Sequence, residues 1–141
     1  MLSFTVLALV SGAALGFAAR GYLMLLQRWP ELAEPLHTGE RYIASHDSEH
    51  VWLLVTAVLF APFAEEYLFR GMLFRALQRE WGDKRAIFGS ALFFAIYHPP
   101  LSWPPVAIAG AAAAWLFARG GHLLPCVVMH MAYNAVVLAR L

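Results

Sequence analysis

Long apolar stretches, separated by short polar or charged segments, make up most of the 141-residue sequence. A helix that crosses a membrane needs about 20 mostly apolar residues. The pattern predicts five such helices, at about residues 2–26, 51–77, 86–98, 104–118 and 122–138. The third and fourth are short for a full crossing, so we expect them to pack mostly against protein or to thin the bilayer locally. The predicted fold is an all-α, polytopic membrane helix bundle that forms one domain, residues 1–141.

Prolines set the limits of three predicted helices. Pro99-Pro100 follows the third stretch, and because proline lacks an amide hydrogen and restricts the residue before it, the helix should end or bend there. Pro104-Pro105 opens the fourth helix, and Pro125 lies in the first turn of the fifth, where proline is tolerated. Between the second and third helices, residues 78–85 (Gln-Arg-Glu-Trp-Gly-Asp-Lys-Arg) predict a short charged connection.

The first stretch predicts an accessory helix, and the core that bears the polar chemistry spans about residues 51–138. Gly12 and Gly16 form a small-xxx-small pair, which lets another helix approach closely. Ala18-Ala19 resembles the cleavage region of a secretory signal peptide, which is the competing interpretation. Because no basic residue precedes the apolar stretch, we expect a retained membrane helix.

Residues 27–50 are polar and predict an aqueous loop with room for a short surface helix. Three histidines lie in this loop, His37, His46 and His50, at spacings that fit no familiar zinc pattern. We therefore expect a solvated loop rather than a metal site.

Composition supports a lipid-embedded fold and narrows the function classes. The sequence is 61% hydrophobic and 13% charged, with a mean hydropathy of +0.61, whereas soluble domains average about 25% charged residues. A net charge of +1 gives none of the field expected of a nucleic-acid-binding protein. The single cysteine, Cys126, excludes an internal disulfide. By the positive-inside rule, the basic loops after the second and fourth helices belong in the cytoplasm.

Six polar side chains interrupt the apolar helices. They are Glu65, Glu66 and Arg70 in the second helix, His98 at the end of the third, and His130 and Asn134 in the fifth. Ionisable groups at membrane depth are costly and usually functional. Counted from the 78–85 connection, Glu65, His98 and His130 lie at depths of roughly 13–18 Å for a rise of about 1.5 Å per residue. Three helices thus bring polar groups to a similar level, which predicts a shared internal cavity.

The spacing within each helix suggests separate tasks for these residues. Glu66 and Arg70 are four apart and share a face, which favours an ion pair. Glu65 is turned about 100° away and stays free to act as a general base. His130 and Asn134 are also four apart, and together they offer two hydrogen-bond donors for a developing oxyanion.

The same residues fit two other interpretations. Glu65, His98 and His130 form a two-histidine, one-carboxylate set suited to a divalent metal such as zinc, although the H-E-x-x-H motif of zinc proteases is absent. Spacing alone leaves metal binding and metal-free water activation equally open. A purely structural interpretation assigns these residues to an ion pair and to hydrogen bonds that tie the helices together.

Three motifs at these residues resemble those of a known family. Glu65-Glu66-Tyr67-Leu68-Phe69-Arg70 matches E-E-x-x-x-R, Phe94-Ala95-Ile96-Tyr97-His98 matches F-x-x-x-H, and His130-Met131-Ala132-Tyr133-Asn134 matches H-x-x-x-N. In this order they resemble the CAAX protease and bacteriocin-processing (CPBP, or Abi) family over about residues 51–138. Singly the second and third motifs are weak, and the ordered set is strong.

The resemblance implies a glutamate-dependent intramembrane endopeptidase with an all-helical core. By that likeness Glu65 would activate water with help from His98, and His130 with Asn134 would form the oxyanion hole. The residues implied in support of the site are Glu66, Arg70 and Phe94. No cofactor is implied, and a bound divalent metal is the alternative.

The implied substrate is a membrane protein or a lipidated or anchored peptide, cleaved at a C-terminal sorting or CAAX-like signal. Many family members carry several more helices, and small members resemble proteases dedicated to C-terminal sorting signals in prokaryotes. The implied location is the plasma or inner membrane, as a multi-pass protein without a nucleic-acid partner. Two other functions stay open: a non-catalytic immunity or scaffold protein, and a proton or ion pathway built on the buried glutamates and histidines.

Overall fold

The computed structural model describes residues 2–36 and 47–139, and within these two ranges every regular element is helical. Helix α1 is Leu2–Leu26, close to the first predicted stretch. A short helix α2 follows at residues 30–36. It lies within the polar segment that was predicted to have room for a surface helix.

The predicted loop is shorter than expected at its carboxyl end. His37 and His46 lie outside the described residues, whereas His50 belongs to a helix that includes residues from Asp47 onward. The loop prediction is therefore wrong for residues 47–50.

The second apolar stretch forms one long helical run whose backbone changes type along its length. Its successive segments are the α-helix Asp47–Val55, the π-helix Thr56–Phe60, the α-helix Ala61–Glu66, the π-helix Tyr67–Phe74 and the α-helix Arg75–Ile96. The last segment is broken at Gly82, where φ is 74° and ψ is 170°. We call residues 47–81 helix α3 and residues 83–96 helix α4.

The break at Gly82 corrects the predicted connection of residues 78–85, which are helical apart from this glycine. Most of the charged and amide residues around it (Gln78, Arg79, Glu80, Lys84 and Arg85) are good helix formers, so their polarity does not end the helix. Glycine adopts a positive φ at little steric cost. A single residue therefore makes the turn that was predicted to need a loop.

The last two helices begin and end as the prolines and glycines predict. Helix α5 is Trp103–Gly120, with proline at its first positions, and it ends at Gly121 in the left-handed conformation with φ 69°. Helix α6 is Leu123–Leu138. A 3₁₀ turn at Pro100–Ser102 joins α4 to α5, which confirms that the third helix ends before the proline pair.

Within residues 2–36 and 47–139, three helical stretches are long and apolar enough to cross a membrane. They are Ser3–Leu26, Val51–Ile96 and Pro100–Gly120, and α6 is a shorter apolar helix. Because Gly82 divides the second stretch, the described residues contain five apolar helices, α1 and α3 to α6. The all-α membrane helix bundle is confirmed. Large apolar side chains point outward, such as Phe88 at 73% exposure, as expected of a surface in contact with lipid.

Helix α5 lies at the centre of the bundle and contacts the other four apolar helices. Its buried positions include the small residues Ala109, Gly110, Ala113 and Ala114, which allow neighbouring backbones to come close. The helices that carry the predicted site residues therefore surround α5.

Helix α1 packs along α6 through the predicted glycine pair. A Cβ atom at Gly12 would overlap the carbonyl oxygen of Met129, and one at Gly16 would lie 2.8 Å from Cβ of Val136. Near the end of the same interface, Arg20 Nη1 donates to the carbonyl oxygen of Val136 at 3.2 Å and to that of Ala139. These carbonyls are at the end of α6, so the guanidinium caps the helix and faces the negative end of its dipole.

Candidate active site

A buried ion-pair network joins helices α3, α5 and α6. Glu66 Oε1 accepts a hydrogen bond from Arg70 Nη1 at 3.0 Å and contacts His130 Nδ1 at 2.9 Å. Arg70 Nη2 donates to the carbonyl oxygen of Gly110 at 2.8 Å. The side chains of Arg70 and Glu66 are 0% and 1% exposed. Glu66 thus holds both the arginine of its own helix and the histidine of α6.

Gly110 makes room for this network. A Cβ atom there would lie 3.1 Å from Cδ1 of Phe94 and 3.4 Å from Arg70 Nη2. The guanidinium of Arg70 also stacks over the ring of Phe94, with Cζ 4.6 Å from the centroid. A larger residue at 110 would push apart the arginine and the phenylalanine that support the site.

The contact with Glu66 fixes the proton arrangement of His130. A carboxylate oxygen accepts hydrogen bonds, so Nδ1 carries the proton that Glu66 Oε1 receives. The other ring nitrogen, Nε2, then faces Glu65, with Oε2 at 3.8 Å. This distance is too long for a direct hydrogen bond, and it leaves a gap between Glu65 and His130.

The two adjacent glutamates differ in environment. Glu66 is buried and engaged by Arg70 and His130, whereas the side chain of Glu65 is 23% exposed. Glu65 lines a cavity of about 300 Å³. The predicted division between a structural and a free carboxylate matches this geometry.

His98 lies at the end of α4, with its ring held by the helix it follows. Its Nδ1 is 2.8 Å from the carbonyl oxygen of Phe94, an acceptor, so Nδ1 is protonated and Nε2 of the neutral ring is free to accept. The indole of Trp103 donates to the carbonyl oxygen of His98 at 2.7 Å. The Phe94 ring lies beside both imidazoles, 4.8 Å from His98 and 5.5 Å from His130 between centroids.

Asn134 is anchored to the first π-helical segment of α3. Its Nδ2 donates to the carbonyl oxygen of Ala57 at 2.8 Å. An amide nitrogen has two hydrogens, so one remains for another acceptor. Wide π turns occur often at functional sites, and here one supplies the carbonyl that orients the amide.

One cavity brings all the predicted site residues together. Glu65, Glu66, Arg70, Phe94, His98, His130 and Asn134 all line it. The rest of the wall is mostly apolar, with Met129 and Tyr133 of α6 and Leu23 of α1 among its members. The shared cavity predicted from helix depth is therefore present.

The metal-binding interpretation depends on Glu65, His98 and His130 as a group of ligands. Within the described parts of the chain, no three His, Cys, Asp or Glu side chains lie together as a ligand group. Nδ1 of both site histidines faces an oxygen acceptor, which leaves Nε2 of each ring as the nitrogen that could bind a ligand. Glu65, His98 and His130 do not form such a group in the described structure.

A family model described as type II CAAX prenyl endopeptidase Rce1-like matches residues 47–136, more than half of the chain. The chain belongs to this family. The matched segment contains every predicted site residue and leaves α1 outside it. A search of curated proteins and a search of solved structures each gave no match. The family is one of membrane peptidases, which agrees with the resemblance seen in the three motifs.

Sequence reasoning missed the partners that hold these residues in place. No sequence motif indicates these partners, which are the carbonyl oxygens of Gly110 and Ala57 and the indole of Trp103. Gly110 had one signal, a glycine within an apolar helix otherwise rich in alanine. The other two contacts depend on how separate helices meet, which the sequence does not display.

Proposed function

We propose that the chain is an intramembrane endopeptidase that hydrolyses a peptide bond in a membrane-associated substrate, with Glu65 activating the attacking water. The observation that carries this proposal is the convergence of Glu65, His98, His130 and Asn134 on one cavity. The chain belongs to a CAAX endopeptidase family, and this membership supports peptide-bond hydrolysis as the reaction class.

Glu65 suits the general base because its side chain lines the cavity and is 23% exposed, whereas that of Glu66 is 1% exposed. Its neighbour Glu66 is occupied by a guanidinium and an imidazole. Glu65 and His98 line the same cavity, and a water held there can donate one hydrogen to the carboxylate and one to Nε2 of the imidazole. Such a water is held in one orientation, which favours attack on a carbonyl carbon.

The reaction then proceeds in two balanced steps. Glu65 takes a proton from the water as its oxygen bonds to the carbonyl carbon, and the carbonyl electron pair moves to the oxygen. The tetrahedral oxyanion collapses, the carbon–nitrogen bond breaks, and Glu65 returns its proton to the leaving amine. The products are a new carboxylic acid, which keeps the second hydrogen of the water, and a new amine, and no cofactor takes part.

His130 and Asn134 are the proposed donors to the oxyanion. Asn134 has a second amide hydrogen besides the one held by Ala57. Since Nδ1 of His130 donates to Glu66, Nε2 donates only when the ring is an imidazolium.

The proposed substrate class is a membrane-associated protein or peptide with a C-terminal sorting or CAAX-like signal. The family description is that of a CAAX prenyl endopeptidase, and a prenyl group is one form that the anchor can take. The apolar wall beside Glu65 suits a chain that arrives from lipid. We place the protein in the plasma or inner membrane as a multi-pass protein, and no nucleic-acid partner is proposed.

The test compares membrane proteomes of cells that contain the wild-type protein or Glu65→Gln, which keeps the shape and removes the base. Glu80→Gln is the matched control, because Glu80 is exposed and lies outside the cavity. We expect C-terminally trimmed products to disappear only with Glu65→Gln, at equal protein abundance. Unchanged trimming in both variants, together with a normal phenotype, would support the non-catalytic immunity or scaffold function instead.

A further inference from the structure

A second cleft lies at the end of the bundle where α3 and α5 both terminate, away from the candidate active site. Its volume is about 460 Å³, and its polar lining comes from Arg75, Gln78 and Arg79 of α3. Phe117 and Gly121 of α5 close the other side. None of these residues takes part in the proposed hydrolysis, so any ligand of this cleft would bind independently of the candidate active site.

The two arginines are held in position by contacts other than salt bridges. Arg75 lies over the ring of Phe117, with Cζ 5.2 Å from the centroid. Arg79 Nε donates to the carbonyl oxygen of Arg75 at 3.3 Å. The terminal nitrogens of both guanidinium groups remain available to donate hydrogen bonds, and no carboxylate among the described residues pairs with either group. Asp83, the acidic residue close by, accepts instead from Gln78 Nε2 at 2.8 Å.

Two adjacent guanidinium groups without acidic partners are suited to phosphate. The planar fork of arginine matches two phosphate oxygens at once. Residues 75–85 hold four basic and two acidic side chains, and Arg119 adds another positive charge at the end of α5. The surrounding potential therefore attracts an anion.

The position of the cleft favours a phosphate that is part of a lipid. Trp81 and Trp115 near these helix ends are 50% and 42% exposed, and tryptophan is enriched where a membrane meets water. Before Arg75 on α3, the apolar side chains of Leu68 and Met72 are 54% and 56% exposed. A headgroup at the arginines would thus leave its acyl chains beside an apolar helix surface.

We propose that this cleft binds the phosphate of an anionic phospholipid headgroup, with Arg75 and Arg79 as its ligands. The ligand is a structural or regulatory lipid rather than a substrate of the active site. This inference does not rest on the proposed peptidase function.

The test measures lipid retention by native mass spectrometry of the full chain in neutral detergent. The probes are phosphatidylglycerol, phosphatidylcholine with the same acyl chains, and inorganic phosphate. The variant Arg75→Gln/Arg79→Gln is compared with Lys84→Gln/Arg85→Gln, which removes the same charge from the same end of the bundle outside the cleft. We expect phosphatidylglycerol to be retained over phosphatidylcholine, and the cleft variant to bind it roughly 30-fold more weakly, with the control near wild type.

Three results would overturn the proposal. Equal retention of the two lipids by the wild-type protein would exclude an anionic headgroup site, and this measurement needs no variant to fold. Equal losses in both double variants would show a diffuse basic surface. Displacement of phosphatidylglycerol by millimolar inorganic phosphate would assign the cleft to a free phosphate.

Discussion

Removal of the buried guanidinium by Arg70→Met should strongly destabilise the protein. The side chain of Arg70 is 0% exposed, and it donates to Glu66 Oε1 at 3.0 Å and to the carbonyl oxygen of Gly110 at 2.8 Å. The change leaves the carboxylate of Glu66 buried without its cation. Breaking a buried pair in this way costs about 3–5 kcal/mol, and we expect a loss of that size.

The second arm of this prediction removes both charges, by Arg70→Met with Glu66→Leu. An apolar pair of similar volume often restores the stability lost on breaking a buried ion pair. In the double variant the carbonyl oxygen of Gly110 lacks its donor and Nδ1 of His130 lacks its acceptor, at about 1–3 kcal/mol each. We therefore expect the double variant to be about 2–6 kcal/mol less stable than wild type, and more stable than the sum of the two single changes would give.

Activity should not return with stability in the double variant. Glu66 also holds Nδ1 of His130 at 2.9 Å, and Glu66→Leu removes this contact whatever replaces the arginine. Unfolding would be followed by tryptophan fluorescence during titration with a denaturing detergent, and activity by the trimmed membrane products. A neutral Arg70→Met, or recovery of both stability and trimming in the double variant, would refute the reasoning.

Two further predictions concern the contact between α1 and α6 and the proposed oxyanion donor Asn134. Gly12→Ala should destabilise the protein by about 1–3 kcal/mol, because the added methyl group overpacks against Met129. In the control variant Gly21→Ala, on the same helix, the added methyl group meets no atom within 4 Å, so higher helix propensity should stabilise the protein by about 1 kcal/mol. Equal effects of the two changes on unfolding in detergent would contradict the close α1–α6 contact. Asn134→Ala should lower kcat about 10²–10³-fold, as loss of one oxyanion donor does. The loss of its hydrogen bond should also lower the stability of the protein by about 1 kcal/mol. A change in KM alone would contradict the role of Asn134 in the transition state.

The sequence predicted most of the site because short-range spacing fixes neighbours within a helix. The pairing of Glu66 with Arg70 follows from their separation by four residues. The common depth of Glu65, His98 and His130 follows from counting residues from a charged boundary. Both arguments need only the rise and turn of a helix.

Contacts between helices were beyond such reasoning. The spacing of His130 and Asn134 predicted that they share a face, but not that Glu66 would bind one and Ala57 the other. The π-helical segments of α3 change the register that a regular helix would give. No residue pattern marks them, because most residues of Thr56–Phe60 and of Tyr67–Phe74 are ordinary apolar ones.

The misplaced boundaries have a simpler cause. Residues 78–85 were predicted as a loop because they are charged, yet their side chains favour helix and only Gly82 leaves the helical conformation. Charged residues indicate where the chain reaches water, but they do not determine where the backbone turns. The turn forms at a residue that can adopt its dihedral angles, which here is a glycine. The two signals coincide at Gly121, where the end of α5 was predicted to within two residues.

The most direct test of the account is the turnover of purified protein on a substrate identified by its trimmed product, measured after treatment with a metal chelator. With Glu65 as the base, Glu65→Gln should lower kcat by about 10²–10⁴-fold, while wild type and Glu80→Gln keep full activity in the chelator. Full turnover by Glu65→Gln, or loss of wild-type activity that added zinc restores, would contradict water activation by this glutamate alone.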